Sequence, residues 1–491
     1  MTEPHLLIIG GGLAGLSTGC YARASGFRTT IVEHNLALGG VCTAWQRGPY
    51  TIDGCIHWLT GGPFDRFYEE LGILPGVERR VLDEWLTYRD ASNATSIRIT
   101  RDLDALGRDL TALAPTDRDE IARVIAGARE LGDLAPPTQP RQLLGVREQL
   151  GQLWDQRHHA GTLLHFRKPL ATWMRDHLTS PALQRLIGAI LPGQVPAMFL
   201  CTLLGYLERG YLSRPVGGSA RFRDALIARY KAAGGEARTG ATVDEVLVQD
   251  GRAVGVRLDD GTIVTADLVV STASLPETAL RLLGGRYDAA DVRTRSETWR
   301  LLGPIVLASF GVAAPLRDLP GLWIIDRIAP FALGGASNEH LYVRVCNDDP
   351  ALAPAGHAVV QTMLTTSYGW WATRGAHYAA DKDAVAEIAL DQLAAHIPGL
   401  RAAVRLVDVA TPLTFWKMAR AWRGAFEGWM PEHGSMLTSV PKTFGTLSGL
   451  YLAGQWVEPG GGVPTAIASG RQAVQLACAD RGLAFRAPEQ R

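Results

Sequence analysis

The feature that most constrains the fold is a glycine-rich turn between an apolar strand and a helix near the N-terminus. Leu6–Ile9 is apolar, the turn follows at Gly10–Gly15, and the sequence predicts a helix over 16–25. Gly26 ends that helix, and a second apolar, β-branched strand follows at 29–32. Continuous apolar strands joined by a helix indicate a parallel sheet that is covered on both faces, so the class is α/β.

The turn fits the pattern GxGxxG, with Leu13 and Ala14 between its last two glycines. Gly10 permits a tight turn, Gly12 allows a pyrophosphate to approach the backbone, and Gly15 allows the helix to pack closely on the strand. The start of the helix offers free N–H groups and the positive end of its dipole. These features together predict a dinucleotide site.

An acidic residue at the end of the second strand supports this prediction. Glu33 follows the glycine turn by roughly the 20 residues expected for the acceptor of a ribose hydroxyl bond. A carboxylate there disfavours a 2′-phosphate, because two anions would face each other. The chain has one complete fingerprint of this kind, so we expect no separate domain for NADPH.

Further glycine motifs distinguish between a flavin and a nicotinamide. A second glycine pair, Gly39-Gly40, follows Glu33, and the turn 53–58 reads Asp-Gly-Cys-Ile-His-Trp. Near the C-terminus the chain contains two more motifs, at 452–456 and 459–464. In these features the sequence resembles the flavin amine oxidase superfamily.

Within that superfamily the chain resembles the branch of carotenoid (phytoene) desaturases, carotene isomerases and retinol saturases. The turn 53–58 carries this likeness, with weaker similarities at 349–357 and 411–428. The resemblance implies a Rossmann-like FAD-binding domain of the glutathione reductase type, which is discontinuous and carries an inserted mixed α+β substrate domain. We expect the FAD-binding domain to comprise 1–85, 213–285 and 440–491, and the substrate domain to comprise 86–212 and 286–439.

The resemblance also implies a set of residues that bind FAD. One departure is Val41, since many relatives have an Arg directly after the glycine pair; any contact made by that Arg must be lost or supplied by another residue. Covalent attachment needs a Cys, His or Tyr at the flavin ring, and the C-terminal glycine loop offers none, so we expect non-covalent FAD. The expected cofactor-binding residues are Gly10, Gly12, Leu13, Ala14, Gly15, Glu33, Gly39, Gly40, Val41, Val243, Gly454, Gly462 and Val463.

Few residues are candidates for catalysis. The resemblance places the turn containing His57 beside the flavin ring, where a His that titrates near neutral pH can donate or accept a proton. The alternative is that His57 is a packed residue that shapes the pocket. We interpret Asp53 as structural, and nothing local assigns Lys417 or Lys442 to the role that a Lys plays in amine oxidases.

Composition excludes several other classes. The chain has 49 basic and 49 acidic side chains, which argues against a nucleic-acid partner. Its six cysteines form no CxxC pair, which favours free thiols in a reducing cytosol. The histidines at 158, 159 and 165 lack metal-ligand spacing and no HExxH motif is present, so we expect no metal site.

Residues 186–207 carry no charge, but Pro192 and Pro196 break the segment in the middle. It therefore predicts two short apolar helices around a turn, which are either core or a surface for peripheral membrane contact. An aromatic stretch at 415–429 is either substrate cavity or core. We expect a cytoplasmic protein, in peripheral contact with the inner face of the membrane, that takes a lipophilic small-molecule substrate.

These features predict a FAD-dependent oxidoreductase that desaturates, saturates or isomerises carbon–carbon bonds of a lipophilic, polyene or isoprenoid-like substrate. The first alternative is a FAD-dependent amine oxidase. The second is a non-catalytic escort-type protein on the same fold, against which the intact glycine motif and Glu33 argue.

Overall fold

A computed structural model describes residues 3–93, 95–432 and 440–488, and its largest sheet has nine strands. The strand His5–Ile9 lies near its middle, between Arg28–Glu33 and Leu268–Ser271, and both pairs are parallel. Leu447–Leu452 extends the sheet beyond Leu268–Ser271 in the same parallel sense. The remaining strands are Glu236–Thr239, Val243–Gln249, Arg252–Leu258, Ile263–Thr265 and Thr443–Phe444.

Both faces of this first sheet are covered, as the continuous apolar strands predict. One face packs against the helices Leu13–Ala24, Gly218–Ala232 and Val463–Arg481. The other face contributes to a separate core with side chains from 243–258 and 425–457. The α/β class is therefore confirmed.

A second sheet has seven strands, and it is antiparallel except for one pair. That pair joins Glu84–Asp90 to Leu322–Leu333 in parallel. The helix Tyr378–Ala394 covers one face of the sheet. The other strands are Ser96–Thr100, Ile305–Val312, Ala336–Cys346, Ala358–Thr365 and Val404–Ala410.

Two small sheets and several short helices complete the chain. The small sheets are Ala44–Arg47 with Tyr50–Asp53, and Leu212–Pro215 with Leu59–Thr60 and Arg79–Val81. The short α-helices are Asp65–Glu70, Ala289–Thr298, Tyr368–Ala372, Leu400–Ala403 and Pro412–Ala419. The 3₁₀ turns are Gly62–Phe64, Pro115–Asp117, Arg141–Leu143, Gln156–His159, Gly375–His377 and Trp422–Gly424, and Glu277–Leu282 is a π-helix.

The region from 103 to 208 is helical. The uncharged segment 186–207 forms parts of the helices Pro181–Ile190 and Met198–Glu208, so the prediction of two short helices around a turn is confirmed. Across the described residues, no helix is both long enough and apolar enough to span a bilayer. The other helices here are Leu103–Leu113, Arg118–Leu131, Val146–Asp155, Ala160–His165 and Leu170–His177.

Two expectations about local structure differ from the observed elements. The first helix begins at Leu13 rather than 16, because Gly12 has the extended backbone of an N-cap residue. The sequence pattern also predicts that 64–210 is mostly helical, but this segment contains the strands Glu84–Asp90 and Ser96–Thr100. These strands join the second sheet, so both parts of the predicted substrate domain share one sheet. The domain boundaries themselves stay a prediction.

One buried ion pair connects the small sheet of Ala44–Arg47 and Tyr50–Asp53 to the second large sheet. The Asp53 carboxylate lies 3.5 Å from the guanidinium of Arg344 on the strand Ala336–Cys346, and both side chains are at most 5% exposed. Its Oδ1 and Oδ2 also accept hydrogen bonds from the hydroxyl and amide of Ser219, which lies on the helix Gly218–Ala232. The amide of Cys55 donates to the same carboxylate, so Asp53 fixes the turn 53–58.

Candidate functional site

A cavity lies at the carboxyl ends of the parallel strands, and its volume of about 1260 Å³ includes space open to solvent. Of the residues predicted to bind a cofactor, Gly15 packs behind the wall, and the candidate catalytic residue His57 is not in the lining. The predicted residues that line the cavity are Gly10, Gly12, Leu13, Ala14, Glu33, Gly39, Gly40, Val41, Val243, Gly454, Gly462 and Val463.

The first glycine loop is tightly packed against the sheet. Gly10 has φ +96°, a conformation that favours glycine, and its amide donates to the carbonyl of Val32. A Cβ on Gly15 would lie 2.0 Å from the carbonyl oxygen of Gly10, so only glycine fits there. At Gly12, by contrast, the nearest atom to a Cβ would be 3.8 Å away. Gly15 therefore serves packing, whereas Gly12 leaves open space in the cavity.

The second glycine pair packs directly on the first loop. The amide of Gly39 donates to the carbonyl of Gly11 at 2.8 Å. Gly40 has φ +57°, and a Cβ there would lie 3.0 Å from the Cα of Gly12. The two loops, separated in sequence, thus form one continuous backbone surface of the cavity.

Two helices direct their N-termini at this cavity. Gly12 caps the helix Leu13–Ala24 and Gly462 caps the helix Val463–Arg481, and neither cap residue supplies a side-chain acceptor. Neither first turn contains an acidic residue. Unpaired N–H groups and two positive dipole ends therefore face the same space, an arrangement that suits an anionic group such as a pyrophosphate.

Glu33 is buried at the edge of the cavity in the position expected for a ribose acceptor. Its Oε2 accepts from the amide of Gly11 at 2.7 Å, and its Oε1 accepts from Asn35 and contacts His34. Burial opposes ionisation, but these hydrogen bonds, that from His34 foremost, lower the pKa of Glu33 below its usual value. The carboxylate is therefore ionised and Oε2 retains a lone pair for a hydroxyl donor.

Two arginines, Arg281 and Arg420, line the cavity, whereas Val41 in the same lining carries no charge. Arg281 pairs with Glu277 and Asp244. The guanidinium of Arg420 lies 4.4 Å from the ring centre of Trp416, and in the described part of the chain no carboxylate forms an ion pair with it. Arg420 is therefore placed to supply the positive charge that Val41 lacks.

The segment 418–421 closes the cavity beside Glu33, which the sequence did not predict. The ring of His34 contacts the carbonyl of Lys417 at 3.0 Å, and the side-chain amide of Asn35 donates to that of Met418 at 2.6 Å. The segment belongs to the predicted substrate domain and carries no nucleotide motif. No sequence signal distinguished it, because its position depends on packing between distant parts of the chain.

Glu427 is a second lining residue that sequence reasoning missed. It lines the cavity together with Cys55, whose pKa is raised by the Cys42 thiol and by burial, with a smaller contribution from the charge of Glu427. None of the described residues hydrogen bonds to or forms an ion pair with this carboxylate, and burial raises its pKa to about 7. A carboxyl group in such surroundings is suited to accept or donate protons near neutral pH.

His57 has different surroundings. Its ring stacks on Tyr342 with centres 5.5 Å apart, and its Nδ1 lies 3.4 Å from the Tyr342 hydroxyl. Burial, together with the positive charges of Arg344 and Arg214, lowers its pKa to about 3. The ring is therefore neutral near pH 7, and the expectation of near-neutral titration is not met at this position.

The aromatic stretch is divided between core and cavity. Phe415 and Trp429 are buried, Trp416 is 40% exposed, and Phe426 lines the cavity. Lys417 is exposed and Lys442 pairs with Glu458, and neither lysine lines the cavity.

His165 has neighbours of metal-ligand type that its sequence spacing did not indicate. Its Nε2 lies 2.5 Å from Oε1 of the buried Glu120, and potential ligand atoms of His177 are within 4.8 Å. Three separate helices bring these side chains together, so no local motif marks them. The expectation of no metal therefore stays a prediction.

A family model described as flavin containing amine oxidoreductase matches residues 13–478. The chain belongs to this family. Membership implies a flavin cofactor, and the two glycine loops, the two uncapped helices and Glu33 fit the dinucleotide form of a flavin.

Proteins similar in sequence to this flavin oxidoreductase include members of the carotenoid branch. Prolycopene isomerase 1 from an Oncidium hybrid cultivar is 24% identical, in an alignment that covers 99% of this chain and 86% of that protein. The neurosporene-forming phytoene desaturase of Rhodobacter capsulatus is 25% identical over 96% of this chain and 93% of its own. The predicted resemblance to this branch is confirmed.

Solved structures of the same fold cover almost the whole flavin oxidoreductase. An oxidoreductase from Methanosarcina mazei superposes with a TM-score of 0.64 at 20% identity, over 96% of this chain and 100% of that one. Cyclohexylamine oxidase from Brevibacterium oxydans superposes with a TM-score of 0.57 at 16% identity, over 98% of this chain and 100% of that one. The predicted FAD-binding fold is therefore confirmed.

We expect Gly12→Val to abolish flavin binding without unfolding the protein. The valine Cβ meets no atom closer than 3.8 Å, but its methyl groups enter the space for the pyrophosphate. Flavin per protein should fall by about tenfold or more, equivalent to at least about 1.4 kcal/mol of binding free energy. Flavin absorbance and the melting temperature measure the two effects.

Gly161→Val is the matched control, since a Cβ there has no neighbour within 4 Å. It should retain the wild-type flavin content. A Gly12→Val protein that also keeps its flavin would show that the pyrophosphate lies elsewhere.

Proposed function

We propose that this protein is a FAD-dependent oxidoreductase that desaturates, saturates or isomerises carbon–carbon bonds of a lipophilic, polyene or isoprenoid-like substrate. The observation that carries the proposal is the cavity with two glycine loops and two uncapped helix N-termini, in a chain similar along its length to prolycopene isomerases and phytoene desaturases. Structural neighbours that oxidise amines support the fold alone.

FAD would be held without a covalent bond. Glu33 would bind the ribose, the amides at Gly12 and Gly462 would bind the pyrophosphate and ribityl portion, and Arg420 would add positive charge. The C-terminal glycine loop supplies no nucleophile to the ring. Cys42 and Cys55 also line the cavity, but their thiols contact each other.

The protein contributes orientation and proton transfer to the reaction. Bound FAD supplies the two-electron redox chemistry. In a desaturation, two adjacent C–H bonds break and a C=C bond forms; one hydrogen would leave as a hydride to bound flavin, and the other would leave as a proton that a base must accept. Glu427 is our candidate for this base, because it lines the cavity with Cys55 and has a pKa suited to neutral pH.

Anaerobic flavin reduction tests the proposed substrate class. Purified protein mixed with a panel of polyenes in detergent should lose its oxidised flavin absorbance with at least one member, or the dithionite-reduced protein should convert one. Product analysis by chromatography would identify the bond that changed. Hydrogen peroxide released with amines alone would favour the amine oxidase, and a purified protein without flavin would favour the escort alternative.

The pH dependence of that reaction tests Glu427. Below about 7 the carboxyl group is protonated and above it is a carboxylate, so desaturation should accelerate as pH rises through this value. Saturation needs the acid and should slow over the same range. Glu427→Gln should remove this change of rate with pH around 7 and lower the rate by about 10²–10⁴-fold while flavin stays bound.

His57→Gln provides the comparison. Because the pKa of His57 is about 3, its replacement should leave the change of rate around pH 7 in place. If the rate of the Glu427→Gln protein still changes around pH 7 and that of the His57→Gln protein does not, His57 is the proton-transfer residue.

We further propose that the protein is cytoplasmic and contacts the inner face of the membrane through 186–207. The helices Pro181–Ile190 and Met198–Glu208 bury one side in the helical core. Phe199 and Leu203 are only partly buried, so apolar area is left at the surface. Such a surface suits the entry of a lipophilic substrate from a bilayer.

We expect Phe199→Asp and Leu203→Asp to reduce binding to anionic liposomes and turnover of a polyene. A charge at these positions opposes insertion among lipid chains, while the cavity is unaltered. Flotation with liposomes measures binding, and flavin absorbance reports the fold. Ile388→Asp, on the distant helix Tyr378–Ala394, is the control for added charge and should bind liposomes normally. Loss of flavin with aggregation in both variants would identify the segment as core.

A further inference from the structure

A short antiparallel ladder leads into the cavity. The strands Ala44–Arg47 and Tyr50–Asp53 pair so that the first residue of one faces the last residue of the other. One step further, the amide of Gly54 donates to the carbonyl of Thr43 at 3.2 Å. The pairing therefore extends one residue past both strands, to Thr43 and Gly54.

The next residues along the two segments are Cys42 and Cys55. Residues opposite each other in antiparallel strands have Cα atoms about 4.5–5.5 Å apart. Disulfides span Cα separations of about 4.4–6.8 Å. The Cys42 thiol donates to the carbonyl of Ser219 at 3.8 Å, and its interaction with the Cys55 thiol raises the pKa of Cys55. Because Cys42 and Cys55 flank the last paired position and line one cavity, they are placed to form a disulfide.

Both thiols of this pair line the flavin cavity. The chain has four more cysteines, Cys20, Cys201, Cys346 and Cys478, all of them described, and none lies in the cavity wall. Cys42 follows the second glycine pair after one residue, Val41, and Cys55 lies in the turn that Asp53 fixes. The pair is therefore part of the cofactor site and not of a distant core.

We propose that Cys42 and Cys55 are a redox-active dithiol that exchanges two electrons with the bound flavin. Oxidation breaks two S–H bonds and forms one S–S bond, which releases two electrons and two protons. Bound oxidised flavin would supply the acceptor for both electrons and one proton, and the carboxylate of Glu427 would accept the other proton. In the reverse direction the disulfide would accept two electrons and two protons. This inference rests on the FAD binding of the proposed function and not on its substrate.

The surroundings of Cys55 explain why a base is needed. The hydrogen bond with Cys42, burial and the charges of Asp53 and Glu427 raise its pKa well above the usual value. The reactive form of a cysteine is the thiolate, so these thiols react only when a proton acceptor is close. Glu427 is such an acceptor, since it has no other partner among the described residues. Dithiols of this kind in cytosolic proteins are usually catalytic or redox-sensing.

Counting electrons tests the proposal without any polyene. The flavin-loaded protein is oxidised with diamide, freed of oxidant and titrated anaerobically with dithionite while flavin absorbance is followed. A flavin plus a disulfide takes up twice as many electrons as a flavin alone. Wild-type protein should therefore need twice the dithionite of Cys42→Ala and Cys55→Ala. Cys201→Ala, which removes a thiol from the helical core, should behave as wild type.

Peptide mapping of the wild-type protein makes the test independent of the variants. Alkylation and mass spectrometry should find Cys42 linked to Cys55 after diamide and find both free once the flavin is reduced. Equal dithionite demand in all four proteins, or a disulfide that persists beside reduced flavin, would overturn the proposal. If the electron count doubles but no polyene reacts, the dithiol stands and the proposed substrate class fails.

Discussion

The arrangement of this protein depends on the buried carboxylate of Asp53. Removal of an ion from water costs several kcal/mol unless the ion is paired and hydrogen-bonded. Asp53 meets this requirement through Arg344 of the second sheet and through Ser219 on a helix of the first. In addition, the side-chain amide of Gln361 donates to its backbone carbonyl at 3.1 Å. Because these partners belong to different layers, satisfying one charge fixes the two sheets relative to each other and holds the turn 53–58 at the cavity.

The same cluster of charges separates the titration of two nearby groups. Burial, and then the charges of Arg344 and Arg214, lower the pKa of His57, which is therefore neutral at physiological pH. Glu427 has no cation beside it among the described residues, and burial alone holds its pKa near neutrality. Groups whose surroundings shift their pKa values apart in this way mark the positions where an enzyme can assign acid and base roles. The imidazole behind the cavity wall, that of His57, is thus neutral, whereas the carboxyl group in the lining, that of Glu427, titrates near neutral pH.

Local patterns predicted the parts of the site that local chemistry determines. Gly10, Gly12 and Gly15 have separate steric requirements within one turn, and Glu33 follows at a spacing set by one helix and one strand. Residues such as Arg420 and Glu427 could not be predicted in the same way. Their positions arise from contacts between segments hundreds of residues apart, which leave no periodicity in the sequence. The strand Glu84–Asp90 was missed for a related reason, since its partner Leu322–Leu333 lies more than two hundred residues further along. Ser96–Thr100 pairs with Glu84–Asp90 and joins the sheet through it.

The two helices that face the pyrophosphate space have a consequence for the biogenesis of the protein. They pack so closely that the hydroxyl of Ser17 donates to the carbonyl of Ile467, 450 positions away. A ribosome must therefore synthesise nearly all of the intervening chain before the second helix exists. The N-terminal βαβ unit that emerges first carries the recognisable glycine motif but only half of the binding surface. Cofactor loading is thereby confined to chains in which the second helix has already docked.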